Sequence, residues 1–113
     1  MSDTAVRLER VGPVALIHVK GEVDMAAEAS LRRRVGEAMA DEPAAVVLDL
    51  TGVTFFASAG LHIVVDLHHD ATARGVSLHV VADSRIVLRP MEITGVDQLV
   101  TVVASVDQAL AHS

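Results

Sequence analysis

Ser58 is a small hydroxyl residue set between Ala57 and Ala59 and followed by Gly60, with the apolar stretch 61–67 behind it. A hydroxyl so placed can cap a helix, attack an electrophile, or accept a group from another protein. A serine nucleophile needs a base, and at a strand-to-helix elbow it sits in G-x-S-x-G. Phe56 stands where the first glycine would be, so that pattern is broken. Downstream, His62, Asp66, His68, His69 and Asp70 all carry ligand atoms, and His62 and Asp66 are one helical turn apart. Only two or three of the five share one face of a helix, whereas a closed metal site usually takes four ligands. A solvated helix face carrying His62, Asp66, His69 and Asp70 is therefore expected. His18 and His79 fall in strand patterns, where hydrogen-bonded surface or core roles are expected. Neither a G-x-x-x-x-G-K loop nor a Rossmann fingerprint occurs. No cofactor is expected of the chain itself, and any nucleotide comes with a partner.

Composition narrows the partners. Nine basic against fifteen acidic side chains give a net charge of −6, which repels phosphate backbones and anionic membrane surfaces. The basic run Arg32-Arg33-Arg34 lies in a helical pattern beside Glu28 and Glu37 and reads as a solvated face rather than a nucleic-acid patch. With no cysteine, disulfides, thiol nucleophiles and thiolate zinc sites are excluded. The first residues have no signal-peptide core, and no segment reaches the roughly 20 apolar residues of a membrane span. A cytoplasmic protein is expected, with no direct nucleic-acid or membrane contact; the sequence sets no oligomeric state.

These residues must be held by a small number of elements. A length of 113 residues suits one domain, residues 1–113, and the core must be aliphatic, because Phe55 and Phe56 are the only aromatic residues besides the histidines. Residues 14–19 read as a strand, and the alternating stretch 5–10 pairs with it as a hairpin. Residues 25–40 have helical spacing, with Asp24 as N-cap. The runs 44–50 and 76–82 are near-continuously apolar, as buried strands are. Between them, Leu61, Ile63, Val65 and Leu67 alternate like a strand, while Leu61, Val64, Val65 and His68 fit a helix. Connectivity decides the matter: two parallel strands need a long crossover, usually helical. Residues 59–73 are accordingly expected to form a helix capped by Ser58 and stopped by Gly75. Ser84 and Gly95 bound a helix that Pro90 keeps short or kinked. A strand at 99–103 and a C-terminal helix capped by Ser105 complete an α/β domain with a mixed sheet of about five strands and four helices.

The stretch "VVLDLTGVTFFASAGLHIVV" resembles the core motif of STAS domains of the anti-sigma factor antagonist (anti-anti-sigma factor) type, L-D-L-x-x-V-x-F-x-D-S-x-G-L. "GEVD" at 21–24 resembles the family's G-E-L-D, "ARGVSLHVV" its R-G-x-x-L-x-L strand entry, and "LRPMEITGVDQLVTVVASVDQAL" its last helix, strand and helix. The resemblance spans nearly the whole chain. It implies a binding protein in transcription regulation, not an enzyme. The implied partner is an anti-sigma factor, a histidine-kinase-like serine kinase that uses ATP, whose capture frees a sigma factor. It further implies phosphorylation of the motif serine, here Ser58, and resetting by a PP2C-type phosphatase. Asp24, in the loop near that serine, is implied in partner binding, as are the loop from Thr51 to Ala59 and the face carrying Gly60, His62 and Asp66. One position departs from the family: the aspartate before the serine is Ala57. That departure motivates an alternative, a STAS subunit that is not phosphorylated and docks on a scaffold or a transporter ATPase.

Overall fold

The computed structural model describes residues 4–111. A hairpin opens the chain, β1 (Ala5–Val11) running antiparallel to β2 (Val14–Val23). Helix α1 (Glu28–Ala40), strand β3 (Ala45–Phe56), helix α2 (Ser58–Arg74) and strand β4 (Ser77–Val81) follow. Next come α3 (Arg85–Thr94), α4 (Val96–Leu99), β5 (Thr101–Val103) and α5 (Val106–Ala111). The sheet order is β1-β2-β3-β4-β5, parallel from β2 onward. The expected mixed five-stranded sheet is present. The helices number five among the described residues, because Gly95 (φ 81°) ends α3 and one further turn, α4, forms before the last strand.

Alternation along the strands makes the two faces. Ala15, Ile17 and Val19 of β2, with Val46, Leu48 and Leu50 of β3 and Val80 of β4, point to one face, where Leu31 of α1, Ile63, Val64 and Leu67 of α2 and Val87 and Met91 of α3 cover them. On the other face Val14, Leu16, Ala45, Val47 and Val81 are covered by α5 through Ala109, Val106 and Leu110. Because β3 is apolar on both faces, its sequence run is nearly unbroken.

The strand-like alternation in 61–67 has a physical cause. α2 buries Ile63, Val64, Leu67 and Ala71 against the sheet, and it also half-buries Leu61 and Val65 on a second side. Both sides carry apolar residues, so the helical period is blurred. Gly75 closes α2 in the left-handed conformation (φ 70°), with its N–H on the Thr72 carbonyl, where a side chain is disfavoured. Strand β3 runs beyond its expected end at residue 50 as far as Phe56, and β2 runs beyond residue 19 to Val23. The two tails pair with each other, Val23 opposite Phe56, past the point where β4 stops.

Candidate functional site

The paired tails deliver two chain segments to one end of the sheet. The N–H of Ala57 donates to the Val23 carbonyl at 3.0 Å, so Asp24 and Ser58, each one residue further on, leave the sheet side by side. Asp24 turns the chain with its carboxylate accepting from the Ala27 N–H at 3.1 Å. It therefore caps the turn that leads into α1, whose regular helix starts at Glu28 rather than at residue 25.

Ser58 is not the N-cap expected from its sequence setting. Ala57 holds that position: its backbone is extended (φ −97°, ψ −176°), and its carbonyl accepts from Gly60 N–H at 2.9 Å and Leu61 N–H at 3.3 Å. The sheet bond to Val23 fixes Ala57 as the last extended residue, so the helix begins one residue earlier than a hydroxyl cap would place it. Ser58 is the first helical residue, is exposed, and makes no side-chain hydrogen bond among the described residues. The cap bonds expected at Ser84 and Ser105 do form, to the N–H groups of Ile86 and Gln108, both at 3.1 Å. Ser58 thus has a hydroxyl that the fold does not use.

The residues around Ser58 divide sharply. Ala59 and Gly60 are buried, so any partner meets their surroundings rather than their side chains. A Cβ on Gly60 would lie 2.6–3.0 Å from the ring atoms of Phe56, itself only 7 % exposed. Glycine at 60 lets the first turn of α2 sit directly on that ring. His62, one turn after Ser58, is exposed and lines with it a groove of about 300 Å³, whose other walls are Leu61, Val65, Thr94 and Val96. Thr94 and Val96, from the α3–α4 corner, were not legible as site residues, because nothing in sequence spacing ties them to residue 58. Exposed Ile93 and Leu99 lie on the same two helices, and exposed Met25 follows Asp24. Isoleucine 93 breaks from the buried face of α3, and that was the available signal.

Asp66 is committed within the fold. Arg32 of α1 donates to it at 2.8 Å and to Glu28 at 2.9 Å, tying α1 to α2. Exposed pairs of this kind contribute little to stability, ~0–1 kcal/mol. The triple-arginine run is thereby accounted for in part: Arg34 likewise pairs with Glu37 and the Val6 carbonyl. Thr51 is not brought to the site. It belongs to strand β3 rather than to a loop, seven residues before Ser58, roughly 20 Å along the chain at about 3.3 Å per residue.

Thr51 instead joins a polar cluster on the other face of the sheet. Its N–H and hydroxyl donate to Asp49 Oδ1 at 3.0 and 2.8 Å. His18 lies between Asp49 Oδ2 (2.8 Å from Nδ1) and Glu9 Oε1 (2.9 Å from Nε2), so three neighbouring strands are linked by side chains. Burial pushes the Asp49 carboxyl up, but the bonds from Thr51 and His18 outweigh this and hold it below the usual carboxylate range. A depressed folded-state value stabilises the fold above the unfolded value of about 3.9 and loses that stabilisation as pH falls through the folded value. Asp49→Asn should therefore cost about 1–2 kcal/mol near neutral pH and flatten the loss of stability below about pH 4. Urea unfolding followed from pH 3 to 7 in both proteins checks this.

Among the described residues no cluster of histidine, aspartate or glutamate is arranged to hold a metal ion, and no helix is long and apolar enough to cross a membrane. The free serine at the head of α2, beside a paired acidic turn on a five-stranded mixed sheet, can be compared with known proteins. Residues 5–109 match the STAS domain family. The chain belongs to that family. The anti-sigma-F factor antagonist RsfB of Mycobacterium tuberculosis is 33 % identical to this STAS domain over 97 residues, covering 86 % of the chain and 79 % of RsfB. A crystal structure of an anti-sigma factor antagonist from Mycobacterium paratuberculosis superposes with a TM-score of 0.92 at 30 % identity, covering 97 % of this chain and 93 % of that one. Unphosphorylated SpoIIAA shares the fold, with a TM-score of 0.81 at 19 % identity over 96 % of this chain and 95 % of its own.

Proposed function

We propose that this STAS domain is an anti-sigma factor antagonist whose binding surface is centred on Ser58 and switched by phosphorylation there. The observation that carries the proposal is the exposed Ser58 hydroxyl, free of hydrogen bonds among the described residues, on the first turn of a 17-residue helix. A kinase can reach it without breaking a native bond. The RsfB similarity supplies the partner class, an anti-sigma factor. In this reading the partner is a serine kinase that uses ATP, and a PP2C-type phosphatase returns the domain to its binding form. Asp24 and His62 flank the serine on the contacted surface, the groove toward Thr94 and Val96 receives an apolar partner side chain, and Asp66 forms the edge of the surface.

The chemistry of the switch follows from position. A phosphate on the first helical residue faces the unpaired N–H groups and the positive end of the helix dipole, which favours it by ~0.3–1 kcal/mol. No acidic residue occupies the first turn of α2, and the neighbouring Asp24 carboxylate is engaged by the Ala27 N–H. The domain stays folded while its surface acquires nearly two negative charges. A partner that packs against Ser58 must then desolvate them.

Ala57 in place of the family aspartate gives a specific reason for the second reading, a STAS subunit that docks without being modified. Its methyl group cannot orient the serine hydroxyl or contact the kinase as a carboxylate does. Adding the purified domain to a preformed complex of a kinase-type anti-sigma factor and its sigma factor, from the same organism, should release the sigma factor. With ATP present, Ala57→Asp should be phosphorylated about tenfold faster than the native chain, the change expected from one charge-assisted hydrogen bond. Failure to release the sigma factor favours the second reading. Release that ATP never reverses keeps the antagonist and removes its switch.

A further inference from the structure

The outer face of the sheet holds a second feature, independent of Ser58. α5 packs against β3, β4 and β5, and beyond its reach the β1–β2–β3 side opens into a groove of about 390 Å³. Its floor is the polar cluster of His18, Asp49 and Thr51, with Asp49 only 8 % exposed. Its rim carries two cations. Lys20 stands on β2 opposite Ala5, and Arg7 on β1 opposite His18, so the two are diagonal neighbours, roughly 7 Å apart at their Cβ atoms.

Lys20 is the only lysine of the chain. Its stem lies along Gly52, where a Cβ would come within 3.1 Å of Lys20 Cγ and 3.3 Å of the Val19 carbonyl. The missing side chain at 52 allows that stem to lie flat. The Lys20 ammonium makes no ion pair among the described residues, and Arg7 commits one guanidinium nitrogen to Glu9 at 3.4 Å. The carboxylates nearby are engaged: Thr51 donates to Asp49, Arg7 donates to Glu9, and the His18 ring bridges the two carboxylates. Two cations and two carboxylates thus border the groove, and of these four groups the Lys20 ammonium is the one without an ion pair among the described residues.

We infer that this groove is a binding site for a small dianion, a phosphate or a dicarboxylate, held between Arg7 and Lys20. A planar guanidinium grips either oxyanion with two parallel bonds, and an ammonium one diagonal step away takes the second charge. The volume is at the lower end of small-ligand sites, which suits a metabolite-sized anion rather than a nucleic acid.

The lone lysine makes the test clean. Reductive methylation with ¹³C-formaldehyde keeps its charge and leaves one side-chain signal at Lys20, with the terminal amine as an internal control. Titration with inorganic phosphate, and separately with succinate, should shift the Lys20 signal saturably at millimolar concentration or below. Amide shifts should be confined to residues 5–7, 18–20 and 49–52. Sodium chloride at matched ionic strength should leave these signals in place, and Arg7→Gln should weaken binding about tenfold with the amide spectrum otherwise unchanged. The two titrations decide which oxyanion is preferred. The proposal is overturned if neither anion moves the Lys20 signal more than chloride does, or if Arg7→Gln binds as tightly as the native chain.

Discussion

Ser58→Glu should weaken binding to a kinase-type anti-sigma factor by at least about 100-fold while leaving the melting temperature within a few degrees of the native value. The asymmetry comes from where the charge lies in each state. In the free domain the carboxylate sits on the exposed first residue of α2, next to N–H groups that lack helical partners, and it is solvated or slightly favoured. In the complex it is pressed against a partner evolved to meet a neutral hydroxyl. An unpaired buried charge costs several kcal/mol, and each ~1.4 kcal/mol is tenfold in affinity. Isothermal titration calorimetry with Ser58→Glu and Ser58→Ala separates charge from shape. The alanine variant should bind nearly as well as the native chain, because it brings neither charge nor bulk to the surface. Equal weakening by both variants would mean that the hydroxyl itself is bound, and the charge argument would fail.

Gly60→Val is expected to give the largest loss of stability among substitutions at the site, about 3 kcal/mol. Its Cβ would fall within 2.6 Å of the Phe56 ring, which cannot retreat because it is packed in the core below α2. Overpacking of this kind costs about 1–3 kcal/mol and sometimes more. The gain in helix propensity over glycine, below ~1 kcal/mol, offsets only part of it. Differential scanning calorimetry should show a fall of about 12–24 °C, given about 4–8 °C per kcal/mol for domains near this size. Gly60→Val with Phe56→Leu should recover part of the loss, since the clash is with that ring. A double variant no better than the single one would place the role of Gly60 elsewhere. Gly60 is thus a packing residue that lets the first turn of α2 lie on the Phe56 ring.

These two residues also show what a sequence alone can disclose. The parallel sheet was legible because residues 44–50 and 76–82 are apolar on both strand faces, and a parallel pair demands a crossover between them. The caps at Ser84 and Ser105 were legible because each hydroxyl precedes a helical pattern, and at Ser105 the preceding Ala104 N–H is taken locally by the Gln108 side chain of the same helix. At Ser58 the same signal misplaces the cap, because the sheet bond from Ala57 to Val23 sets the start of α2. Long-range pairing of that kind leaves no local trace.

The site itself was half legible. Ser58 and His62 face one groove as their helical spacing suggests, but Thr94 and Val96 reach it from a corner more than thirty residues away. Thr51 looked like part of the motif loop and instead serves the opposite face, since β3 continues as a strand to Phe56. Of the expected solvated face, His62, Asp66 and His69 are exposed and Asp70 is half-buried, with Asp66 and Asp70 paired to Arg32 and Arg74. His18 turned out to bridge Glu9 and Asp49 across three strands, a link that register alone creates.

The central claim, that Ser58 is the switch, is met most directly by locating the phosphate. The purified domain is incubated with ATP and a kinase-type anti-sigma factor of the same organism, and its peptides are mapped by mass spectrometry. A single phosphate on Ser58, absent from Ser58→Ala and removed by a PP2C-type phosphatase, is the predicted result. Phosphate on another residue, or none on Ser58 while the anti-sigma factor binds the domain, would contradict it.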